Sequence, residues 1–83
     1  MNKVQAQAMF RSKLSSQIKR TDIKRTTLSK LTGANVGQIN RWLDGSLMPT
    51  YHQFQRIQEV FGVDDEYLIG SSTSERSYEK QFK

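Results

Sequence analysis

With 83 residues and a hydrophobic fraction of 35%, the chain holds one domain at most, and its core has to come from a few well-spaced apolar residues. The absence of cysteine excludes disulfides and thiolate metal sites, and no apolar run approaches the roughly 20 residues of a membrane span. The net charge of +5 is unevenly spread: residues 1–30 carry eight Lys/Arg against Asp22 alone, residues 31–60 balance at zero, and residues 61–83 carry three basic against five acidic residues.

The opening MNKVQAQAMF lacks the long apolar stretch and small-residue cleavage site of a signal peptide, so a cytoplasmic protein is expected. Residues 2–20 predict a first helix, because Ala6, Met9 or Phe10, Leu14 and Ile18 recur a turn apart in one apolar stripe. Lys19 and Arg20 fall in its last turn, where cations complement the helix dipole. Asp22 is placed to cap a second helix from about Lys24 to Thr32, with Ile23, Leu28 and Leu31 inward, and Gly33 ends it. Asn35 then caps a third helix, Val36 to Asp44, whose Ile39, Trp42 and Leu43 form a buried stripe and which stops at Gly45.

After the loop GSLMPT, Thr50 caps a fourth helix carrying Tyr51, Phe54, Ile57 and Phe61 or Val60, closed by Gly62. A short fifth helix begins near Asp64, holds Asp65 and Glu66 in its first turn, is anchored by Tyr67 and Leu68, and ends at Gly70. No segment alternates with the period of a strand, so the expected class is all-α, five helices within residues 1–70. Residues 71–83, SSTSERSYEKQFK, turn polar and read as a tail or linker, in which Tyr78 and Phe82 would share a face if a short helix formed.

The stretch Leu31 to Gly45, LTGANVGQINRWLDG, concentrates three glycines and the only tryptophan. A nucleotide-binding loop would need a preceding strand and either a terminal GK[ST] or GxGxxG, none of which is present. The alternative is two helices joined by a tight turn: Ser29 is small enough for close approach, Gly33 makes the turn, and Ile39 and Trp42 pack back onto Leu28. The outer face of the third helix is then free to enter a major groove. The clustered basic residues suit a phosphate backbone, the alternative being an ordinary solvated surface.

These residues carry a resemblance. RTTLSKLTGANVGQINRWLDG, Arg25 to Gly45, resembles the helix-turn-helix of the phage repressor/Cro family of DNA-binding domains, the lambda-repressor-like fold. MPTYHQFQRIQEVFGVDDEYLIG is similar to that family's fourth and fifth helices, and the likeness covers about residues 8–70. It implies a five-helix domain that binds double-stranded operator DNA, usually as a homodimer on a two-fold-related site. Arg25 stands where the family commonly has glutamine, and Val36 where a polar base reader is frequent.

On the third helix, Val36, Gly37, Gln38, Asn40 and Arg41 are the expected base contacts: Arg suits guanine, Gln and Asn suit adenine, Val36 a thymine methyl, and Gly37 close backbone approach. Gln38, Asn40 and Arg41 read equally as a solvated face, and Val36 as partly core. Phosphate contacts are expected from Lys24, Arg25 and Thr26, from Asn35 (otherwise a plain N-cap), and from Ser46. Dimer contacts are expected from Val63, Tyr67, Leu68 and Ile69, with Tyr78 and Phe82 of the tail. Lone His52 and the Asp64–Asp65 pair suggest no metal, cofactor or catalytic site, so an enzyme is not expected. The leading expectation is a phage- or prophage-type repressor acting on host or phage DNA. Its rivals are an activator touching RNA polymerase, an antitoxin-like interaction module using the tail, and the DNA-binding part of a longer repressor.

Overall fold

The structure is a computed structural model that describes residues 3–70. Those residues form five α-helices: α1 Lys3–Thr21, α2 Arg25–Thr32, α3 Val36–Asp44, α4 Tyr51–Phe61 and α5 Asp65–Ile69. No strand occurs among the described residues, as the sequence periodicity implies. None of these helices is long and apolar enough to cross a membrane.

The core draws a few side chains from each element. Ala6, Phe10 and Leu14 come from α1, Leu28 from α2, Ile39 and Trp42 from α3, Phe54, Ile57 and Phe61 from α4, and Leu68 and Ile69 from α5. Helix α1 packs on α3 and α5, while α2 packs on α3 and α4. The rings of Phe10 and Phe54 stand 6.0 Å apart and tilted, joining the long helix to α4 at the centre. Between the two candidates on α1, Phe10 is the core residue, and Met9 is half-buried.

One buried member of the α1 stripe is polar. Gln17 is buried, and its Nε2 donates to the Tyr67 hydroxyl at 2.9 Å while its Oε1 accepts from Arg20. Lys13 places its Nζ 4.9 Å from the centre of the Tyr67 ring. These contacts tie α1 to α5 through a satisfied polar group, which is how a buried amide avoids a desolvation cost.

Three expectations are corrected. Asp22 does not cap α2: its φ is +55°, a left-handed conformation that aspartate tolerates better than most residues, and it turns the chain out of α1. The N-cap position falls instead to Lys24, whose side chain has no acceptor to offer the helix amides. Leu31 does not point inward; it is 49% exposed, and Thr32 is buried in its place with its hydroxyl returned to the Leu28 carbonyl. Leu68 and Ile69 are wholly inside the chain's own core, so they cannot form a dimer surface; Val63 and Tyr67 remain half-buried. The expectation for Tyr78 and Phe82 concerns residues outside those described.

Candidate nucleic-acid interface

The turn between α2 and α3 comprises Gly33, Ala34 and Asn35, and each residue is held by a definite contact or conformation. Gly33 takes φ +79° and its N–H returns to the Ser29 carbonyl. The Ser29 hydroxyl reaches forward to the Ala34 carbonyl, bracing the turn with a side chain small enough to fit beneath it. Asn35 begins α3 with a reciprocal cap: its Oδ1 accepts from the Gln38 N–H at 2.7 Å, and its own N–H donates to Gln38 Oε1 at 3.0 Å.

The capping box assigns Asn35 its N-cap role and occupies the carbonyl of Gln38, which is half-buried. Gly37 has a local reason too. A Cβ there would lie 3.2 Å from Asn35 Oδ1, so the glycine leaves room for the cap. Val36 is half-buried against the domain, whereas Gly37, Asn40, Arg41 and Asp44 are exposed at helical spacing. On the other side of α3, Ile39 and Trp42 are buried in the core. The helix is thus anchored along one stripe and presents a glycine, an asparagine and an arginine along another.

Two cationic side chains from elsewhere meet this exposed stripe, one at its middle and one at its C-terminal end. Arg25, the first residue of α2, donates from Nη1 to Asn40 Oδ1 across 15 residues of sequence. Arg11 of α1 donates from Nη1 to the Asp44 carbonyl at 3.4 Å, against the C-terminus of α3. Lys24 and Thr26 are exposed beside Arg25, at a helix start where no side chain caps the amides. An uncapped helix N-terminus flanked by Lys and Arg is electrostatically suited to an anion.

Ser46, an expected phosphate contact, is exposed, but its main-chain amide is engaged within the chain. Its N–H donates to Asp44 Oδ1 at 2.8 Å and to the Arg41 carbonyl at 3.0 Å, so the amide serves the C-cap of α3 rather than facing outward. Its hydroxyl also serves Asp44, and these two bonds, followed by the nearby charges of Arg41 and Arg11, hold the Asp44 carboxyl below its ordinary value of 3.8. Asp44 is therefore a carboxylate on the exposed stripe whose charged form is favoured by Ser46 and by the nearby charge of Arg41.

Sequence reasoning did not single out Asp44 or Arg11. The Asp-Gly-Ser spacing is an Asx-turn signal and could have flagged Asp44. Arg11 carries no such local mark, because it reaches α3 from 33 residues upstream. No group of three or more His, Cys, Asp or Glu able to hold a metal occurs among the described residues. No family model, no curated protein and no solved structure matches the chain.

Proposed function

We propose that the chain is a sequence-specific, double-stranded DNA-binding regulator of transcription, a repressor of the phage type that its α2–α3 sequence resembles. The observation that carries this reading is the make-up of α3. It is fixed by Ile39 and Trp42 on one stripe, exposes Asn40 and Arg41 on another, and meets Arg25 at Asn40 and Arg11 at the Asp44 carbonyl. Exposed amide and guanidinium groups on a rigid helix are the donors that read base edges in a major groove, and flanking cations fit the phosphates on either side.

In this reading Arg41 is the principal base reader and Asn40 a second. Gln38 contributes through its amide nitrogen, since its carbonyl belongs to the cap. Lys24, Arg25 and Thr26 face phosphate. A dimer brings two copies of α3 into successive major grooves about 34 Å apart, with Val63, just before α5, and Tyr67 of α5 still accessible for the contact. The experiment is selection of bound duplexes from a random pool by the full 83-residue chain. A two-fold-related consensus is expected, and a pool that shows no enrichment overturns the proposal.

A further inference from the structure

Asparagine on a reading helix is ordinarily suited to adenine, because its carbonyl accepts from N6 while its amide nitrogen donates to N7. That pairing requires both ends of the amide. In this protein one end is already engaged: Nη1 of Arg25 donates to Oδ1 of Asn40. Here the chemistry fixes which end is which. A guanidinium has only donors, so the Asn40 atom facing it is the oxygen, and the amide cannot turn over without placing two donors against each other.

We propose that the Arg25–Asn40 pair makes Asn40 a donor-only reader, selecting guanine over adenine at one base pair. This rests on α3 being the base-reading helix. With Oδ1 turned to Arg25, the amide nitrogen retains two hydrogens, and guanine offers two acceptors, O6 and N7, on its major-groove edge. Adenine offers one acceptor and one donor there. Its N6 hydrogen, approaching Oδ1 at the remaining lone pair, would come up against the guanidinium charge. Both side chains are exposed, so neither is held by the core and the preference is a property of the pair itself. Arg25 is then a specificity-determining residue that acts through Asn40.

The test runs the duplex selection in parallel with wild type, Asn40→Ala and Arg25→Met. Asn40→Ala loses the preference at one base pair and so identifies the position. Wild type is expected to hold guanine there with adenine disfavoured by about tenfold, and Arg25→Met, which keeps the apolar stem without donors, is expected to raise adenine to at least parity. Adenine in the wild-type consensus at that position overturns the proposal. So does an Arg25→Met consensus identical to wild type, whatever the loss of affinity, since Arg25 would then serve as a phosphate contact alone. Should wild type enrich no duplex, the DNA-binding reading itself falls and takes this one with it. The pair is also checked without DNA. The Asn40 side-chain amide resonances of the free protein should move in Arg25→Met and stay in place in Lys24→Ala, and no movement in Arg25→Met overturns the pairing.

Discussion

Asp44 lies three residues after Arg41, at the C-terminus of α3, where a negative charge is unfavourable to the helix dipole. Two bonds from Ser46 hold it there, and its carboxyl is depressed from 3.8 mainly by them. A depressed folded-state value means that the unfolded chain takes up the proton first as pH falls. The associated stability is therefore complete above the ordinary aspartate range and is lost as pH drops through the folded value. Asp44→Asn keeps an acceptor for Ser46 but does not titrate. Urea midpoints of wild type and Asp44→Asn are expected to differ by a constant amount near neutrality and to converge between about pH 5 and pH 2. The same substitution removes a negative charge near Arg41 from the face proposed to meet DNA. Binding to any duplex should tighten, as read by titration at fixed salt, and weaker binding would show that Asp44 positions Arg41 rather than competing for it.

At the scale of the element, α3 was the most legible part of the chain. Its bounds, its Asn35 cap and its Ile39–Trp42 anchor all follow from local residue types. The missing information was what touches it from a distance, Arg25 at Asn40 and Arg11 at Asp44. Gly33 and Gly45 illustrate the difference. Both take a left-handed φ, +79° and +84°, which costs an L side chain about 1–2 kcal/mol. A Cβ on Gly33 would meet nothing within 4 Å, whereas one on Gly45 would lie 3.2 Å from Arg11 Nη1. Gly45→Ala is therefore expected to destabilise more than Gly33→Ala, since it also displaces Arg11 from the Asp44 carbonyl. In an Arg11→Ala background the two costs should become equal. Denaturant unfolding of the four variants measures this, and a persistent gap would mean that Arg11 is not the neighbour responsible. Nothing near Gly45 in sequence announces that contact.

Across the whole molecule, the five helices and most core positions were readable because each apolar stripe keeps helical spacing and α2 to α5 each stop at a glycine. The α1–α5 junction was less readable. Gln17 occupies a core position that apolar periodicity passes over, and Tyr67, taken as an apolar anchor, also accepts its hydrogen bond. Leu68 is the buried anchor expected, but it and Ile69 were also assigned to a dimer contact, because a five-residue helix gives too few turns to tell which stripe faces inward. The charge distribution, in contrast, needs no structure to read. With eight Lys/Arg in residues 1–30, phosphate attraction should come mainly from α1 and α2. Lys24→Ala is expected to weaken binding to every duplex alike and to lower the salt-dependence slope by about one, and an unchanged slope would remove Lys24 from the phosphate contacts.

The exposed stripe of α3 is proposed to read bases, with Arg41 as its principal reader. The most direct measurement is the ratio of affinities for a selected duplex and an unrelated duplex, in wild type and in Arg41→Ala. A bidentate arginine–guanine pair is worth about 1–3 kcal/mol of discrimination, so the ratio should fall by about 10- to 100-fold with little loss on the unrelated duplex. Equal loss on both duplexes would contradict the claim and leave Arg41 as a phosphate contact.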